Sequence, residues 1–217
     1  MELAEARKWM VRRLMESGYL RSAPATRAME KVERHLFLPG GMEDEAYLDT
    51  PLQIGEGQTI SAPHMVAMMI EALDLKPGMK VLEVGGGSGY HAAVMAEMVG
   101  PKGFVYSVER IEPLAERARK SLKASGYAEN VEVIVADGSE GLPEKSPFDR
   151  ISVAAAAPYV PDPLKQQLAE GGKLLLPVGG KWYQELILVY RKGSAFVEKD
   201  LGGCVFVPLI GEYGFKD

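Results

Sequence analysis

Cysteine is nearly absent from this 217-residue chain: Cys204 stands alone, so no disulfide can form within it, and a reducing, cytoplasmic setting is expected. Histidine is almost as scarce. His35, His64 and His91 lie far apart, none with a ligand-type partner at the helical spacing of a zinc motif, so no metal site is expected. No apolar run approaches the roughly 18 residues of a membrane span. The N-terminal MELAEARKWM alternates charged with apolar residues instead of building the apolar centre of a signal peptide. Positive charge is not in excess either. With 25 Lys and Arg against 30 Asp and Glu the net charge is −5 and the pI near 5.4. That balance argues against a nucleic-acid footprint spread over the chain, although Arg12, Arg13, Lys80 and Lys102 could still gather on one face. Internal repeats and low-complexity tails are lacking. A hydrophobic content of 47% and a charged content of 25% fit an ordinary globular protein of one domain.

One further absence is local. Gly85, Gly87 and Gly89 give G-x-G-x-G, but position 90, where a dinucleotide-binding loop has its third glycine, is Tyr. What is present around that gap is informative. Val81-Leu82-Glu83-Val84 reads as a buried parallel strand, the glycines through Ser88 and Gly89 as a tight loop, and Tyr90 to Ala96 as the start of a helix. Strand, glycine turn and helix bring backbone N–H groups against a nucleotide-like ligand. Glu83, an acid inside the strand, is unusual unless it faces a polar ligand or structural donors.

The rest of the chain extends this unit. Helical spacing marks residues 3–14, closed by Gly18, and a second stretch from about Pro24, with Met29, Val32 and Leu36 on one face. Residues 37–60 read as an irregular segment, long enough to suggest a functional loop or mobile lid. Ser61 is placed to cap a helix that has Pro63 in its first turn. Strands over 80–84, 104–108, 131–135, 150–154 and 173–176 alternate with helices over 89–98, 112–124 and 162–169, the last strand closed by Pro177 and two glycines. Residues 184–191, 195–199 and 204–209 read as antiparallel strands. The expected fold is α/β: a Rossmann-like, doubly wound, mostly parallel sheet with antiparallel C-terminal strands and an N-terminal helical cap. Residues 1–60 form the cap and the substrate or lid segment, 61–180 the cofactor-binding core, and 181–217 the terminal strands.

Chemistry-bearing residues fall at strand ends. Glu109, about 20 residues past the loop, can accept hydrogen bonds from both hydroxyls of a ribose; alternatively it pairs with Arg110 or Arg117. Asp137-Gly138 follows the strand at 131–135 and either meets an exocyclic amine of adenine or forms a common Asp-Gly turn. Ala154 to Ala157 leave room at the sheet edge, or simply pack tightly.

Glycines, Glu109, Asp137 and the alanine run together resemble the class I methyltransferases that bind S-adenosylmethionine. The stretch Asp49-Thr50-Pro51-Leu52-Gln53-Ile54-Gly55-Glu56-Gly57-Gln58-Thr59-Ile60-Ser61-Ala62-Pro63-His64 narrows this, because it is similar to the segment preceding the cofactor domain in protein-L-isoaspartate (D-aspartate) O-methyltransferases. Val32 to Pro39, Asp137 to Glu144, and Phe206 to Gly211 follow the same family's pattern. Two positions depart from it: Ala154, where the family often has Thr, and Glu56, where an aromatic or His is frequent.

The resemblance implies methyl transfer from S-adenosylmethionine, leaving S-adenosylhomocysteine, to the free α-carboxylate of isoaspartyl residues in damaged proteins and peptides. It makes Ser61 the catalytic-position serine, with Thr59 and Ile60 walling the site. Ile60 to His64 would close over the cofactor, whose homocysteine part lies against Gly85 and the loop that includes Gly87, Ser88 and Gly89, with Glu83 beneath. Glu109 would hold the ribose, Asp137 and Gly138 would flank the adenine, and Val207, Pro208 and Leu209 would lie near the substrate peptide. A monomer without nucleic-acid or membrane partners is expected. The rival readings are a methyltransferase for RNA or a small metabolite, and a nucleotide- or NAD-binding regulator without catalysis.

Overall fold

The computed structural model describes residues 2–216. Helices α1 (Leu3–Glu16) and α2 (Ala23–Lys31) come first, then a hairpin of β1 (Leu52–Gly55) and β2 (Gln58–Ile60), and α3 (Pro63–Leu73). The alternating part follows as β3 (Lys80–Val84), α4 (Tyr90–Val99), β4 (Phe104–Glu109), α5 (Glu112–Ala124), β5 (Val131–Val135), β6 (Phe148–Val153), α6 (Asp162–Gln166) and β7 (Leu168–Gly179). Strands β8 (Gln184–Lys192) and β9 (Ala195–Cys204) complete a seven-stranded sheet of order β5-β4-β3-β6-β7-β8-β9. Neighbours from β5 to β7 run parallel, and β8 and β9 are antiparallel additions. The chain winds outward from β3 to β5, then crosses back to lay β6 on the other side of β3. That reversal opens a crevice at the carboxyl ends of β3, β4 and β6, where ligands bind in such sheets.

Local sequence explains why these elements form. In β3, Val81, Leu82, Glu83 and Val84 are all buried, as expected of a strand covered on both faces. In α5, Leu114, Ala115, Ala118 and Leu122 give one inward stripe, with Glu112 in the first turn and Lys123 in the last to suit the helix dipole. Two cores result. Helices α1 to α5 cover one face with residues such as Met10, Met29, Ile70 and Met95. The opposite face carries α6, two short 3-10 turns and the C-terminal segment, whose Leu209 joins Leu82, Ile151 and Leu174 in the second core. Cys204 is buried at the end of β9, and burial, reinforced by Asp200, pushes its thiol up to about 11. No helix among the described residues is long and apolar enough to cross a membrane.

Several expectations need correcting. The segment 37–60 is not irregular throughout. Leu52 pairs with Ile60 and Gln53 with Thr59, and Gly55, Glu56 and Gly57 all take left-handed torsions at the turn. Alternation over three or four residues is too short to announce such a hairpin. The segment is also tied down: Phe37, Ala46 and Tyr47 are buried, Arg34 Nε donates to the Ala46 carbonyl at 2.9 Å, and His35 Nδ1 lies 2.7 Å from the Tyr47 hydroxyl. Arg34 itself is fully buried over the Tyr90 ring, and burial lowers its guanidinium to about 10.

Ser61 does not cap α3. The N-cap is Ala62, without a side-chain bond, and the His64 N–H is met from a distance by Asp49 Oδ1 at 2.9 Å. Helix α6 stops at Gln166, and β7 begins at Leu168, far earlier than expected. A bulge beside Phe148 accommodates Gly171 and Gly172, and β7 continues through Pro177, which lies opposite Leu186. Residues 204–209 form no strand. β9 absorbs Cys204, and the remainder makes a bridge between Pro208 and Ala156.

Candidate active site

The glycine loop is shaped by hydrogen bonds to the neighbouring strand. The N–H groups of Gly85 and Gly86 both donate to the Val108 carbonyl, at 2.9 and 3.1 Å, and Gly89 N–H donates to Gly86. Gly87, at φ 53°, occupies a left-handed conformation that side chains resist. Gly86 is required for space, since a Cβ there would collide with Ser107 Oγ.

Two carboxylates support the loop. Glu109, at the end of β4, accepts from Gly87 N–H at 2.9 Å with Oε2 and from Ile111 N–H at 2.8 Å with Oε1. It therefore holds backbone, and pairs with neither Arg110 nor Arg117. Each oxygen keeps a further lone pair for a ligand hydroxyl. Glu83, wholly buried beneath the loop, accepts from Ser107 Oγ at 2.5 Å, and its Oε1 lies 3.3 Å from His91 Nδ1. Nε2 of His91 is buried without a partner in the protein, and Oε1 of Glu83 has the contact with His91 but no hydrogen bond of good geometry. Buried polar atoms are costly to leave unsatisfied, so this floor is built for a polar guest.

Above the carboxylates lies an open cleft of about 550 Å³, its solvent-facing space included, lined among others by Thr59, Gly85, Glu109, Gly138, Ala154 and Pro208. A second, smaller chamber, about 420 Å³ with its solvent-facing space included, adjoins it and shares Thr59, Gly85, Gly87 and Ala154. Ser61, Ile60, Glu83, Ser88 and His91 face this chamber. The arrangement offers an elongated site with a carboxylate midway, an acidic and imidazole floor at one end, and an open apolar mouth at Val207, Pro208 and Leu209. Among the described residues, no group of three or more His, Cys, Asp or Glu is placed to hold a metal ion.

The model of the protein-L-isoaspartate(D-aspartate) O-methyltransferase family matches residues 5–214. The chain belongs to that family. The protein-L-isoaspartate O-methyltransferase of Methanothermobacter thermautotrophicus is 56% identical over 216 residues, covering 99% of both chains. That of Hyperthermus butylicus is 56% identical over 221 residues, covering 98% of this chain and 92% of its own. Among solved structures, a protein-L-isoaspartate O-methyltransferase of Plasmodium falciparum, in complex with S-adenosyl-L-homocysteine, is 29% identical with a TM-score of 0.84, covering 94% of this chain and 98% of that one.

Measured against the residues the family resemblance singled out, the two chambers gather most but not all. Thr59, Gly85, Gly87, Glu109, Gly138, Val207, Pro208 and Leu209 line the cleft, and Ile60, Ser61, Glu83 and Ser88 the adjoining chamber. His64 lines neither; its ring nitrogen and its amide are both held by Asp49, and its ring packs 5.4 Å from Tyr19. Gly89 faces Ala118 and Leu122, allowing close packing of the loop on α5. Asp137 turns toward the C-terminal tail. Its Oδ1 accepts from the amide and hydroxyl of Ser139 at 2.8 and 2.7 Å, and its Oδ2 from Glu212 N–H at 2.7 Å. Burial alone would raise its carboxyl, but the bonds from Ser139 and Glu212, with Lys216 nearby, outweigh that and hold it below the usual carboxylate range. Sequence reasoning missed His91, Gln58 and Ile111 as lining residues. His91 is the second residue of α4, and only the position of Glu83 behind it could have drawn attention to the pair.

Proposed function

We propose that the protein transfers a methyl group from S-adenosylmethionine to the free α-carboxylate of L-isoaspartyl residues in damaged proteins and peptides, acting as a protein repair methyltransferase. The observation that carries this reading is a pair of adjoining chambers, one holding Ser61 beside the buried Glu83 and His91, the other running past Glu109 to the Val207–Leu209 mouth, in a chain of which a protein-L-isoaspartate O-methyltransferase relative covers 99%. When bound, S-adenosylmethionine supplies a methyl group activated by a sulfonium centre.

The residues present fit that cofactor. Glu109 has lone pairs left for ribose hydroxyls, Gly138 offers a flat wall for the base, and Glu83 Oε1 with His91 Nε2 supplies the unsatisfied polar floor for an amino-acid end. Ile60, Gly85, Gly87 and Ser88 complete the enclosure. Asp137, with its oxygens engaged by Ser139 and Glu212, supports this wall by fixing Gly138. Gly89 and His64 serve the site through packing and through the anchoring of α3.

The accepting carboxylate needs no general base, since its ordinary pKa near 4 leaves it ionised at neutral pH. The protein's task is then to position and to dry. Ser61, free of capping duty, is the hydrogen-bond donor that orients the carboxylate, while Thr59 and Ile60 wall the reacting groups and Val207, Pro208 and Leu209 receive the peptide. Orientation of this kind contributes several kcal/mol to a displacement. Excluding water strengthens the effect, because anion and cation attract more in a dry site. The chain acts as a single methyltransferase domain and as a monomer in the cytoplasm, with polypeptide rather than nucleic acid as its partner, in keeping with its net charge of −5.

Labelled S-adenosylmethionine offered with paired peptides, one isoaspartyl and one normal aspartyl, tests the reading. Base-labile label on the isoaspartyl peptide alone is expected. Label on neither peptide, or on both equally, would overturn it.

A further inference from the structure

Four exposed apolar side chains lie on segments that lead directly from the walls of the cleft. Trp182 is 90% exposed, Val205 72%, Tyr183 62% and Tyr159 52%. Large aromatics left in water are costly and are enriched where a protein meets a partner. Scattered surface hydrophobics need no explanation, but these four are joined by the chain path. From the cleft wall at Ala154 and Ala155, the chain passes through Ala157, which bridges to Val178, and reaches Tyr159 four residues on. From the opposite wall at Val207 and Pro208, it leads back within two residues to Val205 and then to Gly203, over which the Tyr183 ring lies. Both paths meet at the turn between β7 and β8 that holds Trp182.

That turn is fixed to the cleft. Gln184, fully buried, donates from Nε2 to the Gly180 carbonyl at 2.6 Å and accepts Phe206 N–H at 2.8 Å with Oε1. One side chain thus clamps both ends of the turn to the segment that lines the mouth. Lys181 lies 5.9 Å from the Phe215 ring, adding contact with the tail.

We propose that Tyr159, Trp182, Tyr183 and Val205 form a docking surface for the unfolded polypeptide flanking the isoaspartyl residue, continuous with the site that takes the residue itself. This rests on the isoaspartyl reading of the cleft. The occupant follows from the chemistry on each side. A site that accepts one residue with a kinked backbone requires an unfolded segment, and unfolded segments expose the apolar side chains that a folded protein hides. An aromatic surface beside the mouth binds such flanks without demanding a sequence, as a repair enzyme with many targets needs.

The test compares steady-state kinetics of the Trp182→Ser, Tyr159→Ser double variant with the unaltered protein on two substrates. One is a hexapeptide with a central isoaspartyl residue; the other is a 30-residue isoaspartyl peptide with Leu and Val in its flanks. A Trp9→Ser variant on α1 serves as control. We expect KM for the long peptide to rise about tenfold at unchanged kcat, in line with the loss of aromatic anchors at an interface, while the hexapeptide and the control stay within twofold. Equal change on both peptides, or none, would overturn the docking surface. So would a dimer of the unaltered protein that the double variant makes monomeric, since a second copy would then be the occupant. Binding of a fluorescent 30-residue peptide of the same flanks with normal aspartate separates the two ideas. If the unaltered protein methylates neither substrate, the isoaspartyl reading fails; loss of that binding in the double variant still supports the surface, and its retention overturns it.

Discussion

Asp49 meets the His64 N–H from fifteen residues away, at 2.9 Å, and so performs at the start of α3 what a preceding serine commonly does. Ser61 is left facing the chamber with its hydroxyl available. The two residues should therefore separate stability from turnover. Asp49→Ala is expected to cost about 1 kcal/mol, the usual worth of a helix cap, in a denaturant titration. Ser61→Ala should leave that titration unchanged and lower kcat about ten- to hundredfold, the effect of losing one positioned donor to a charged group. Calorimetric binding of S-adenosylhomocysteine should stay within twofold. Normal turnover in a folded Ser61→Ala protein would remove the residue from the mechanism. Only half of this was legible in the sequence. The spacing from Ser61 to Pro63 announces a helix start, but a cap supplied from Asp49 depends on how the hairpin folds back, which no local pattern records.

The loop after β3 is the element in which space is most tightly assigned. Ser107 on β4 donates to Glu83 on β3 directly under Gly86, so the loop, two strands and a buried acid share one small volume. Gly86→Ala should push the Ser107 hydroxyl aside and leave Glu83 less satisfied, at a cost of about 1.5–3 kcal/mol for a buried hydrogen bond to a charged group. Equilibrium unfolding in urea measures it, and a loss under 0.5 kcal/mol would mean the loop moves to make room. Elements of this kind are the ones the sequence announces well. β3, β5 and α5 have strong periodic or continuous apolar patterns, and their observed bounds fall on the expected residues. The elements that escaped depend on partners. β7 is prolonged because β8 lies beside it and β6 tolerates a bulge, and Pro177 sits within the ladder where composition alone predicts an end. Residues 204–209 alternate like a strand, yet beyond Cys204 they turn to Ala156, whose N–H donates to the Val207 carbonyl and whose carbonyl accepts from Leu209 N–H.

For the whole molecule, ligand binding and folding are linked through the crevice at the sheet reversal. S-adenosylhomocysteine at a hundred times its Kd should stabilise the fold by about 2.7 kcal/mol, raising Tm by about 5–10 °C for a chain of this length. Glu109→Gln, which weakens the grip on Gly87 and Ile111, should remove most of that increment. An unchanged increment would show that the carboxylate is dispensable to the site. Acid should act through a different part of the molecule. Asp137 has a folded pKa below its unfolded one, so its contribution is present above about pH 4 and is lost as pH falls through the lowered value. Asp137→Asn should flatten the dependence of Tm on pH below about pH 4, and an unaltered slope would rule the group out. The same clamp bears on how the protein itself ages. Asp137-Gly138 is its single Asp-Gly pair, and Asn130 its single asparagine. Succinimide closure at the pair requires the Gly138 nitrogen to attack the Asp137 carboxyl carbon. That carbon belongs to an ionised group held by Ser139 and Glu212, a poor electrophile in a fixed orientation. On prolonged heating, Ser139→Ala should accumulate isoaspartate at position 137 faster than the unaltered chain, as read by peptide mapping; equal rates would refute the protection. The residues that hold the tail against the sheet would then also spare this protein the lesion it mends in others.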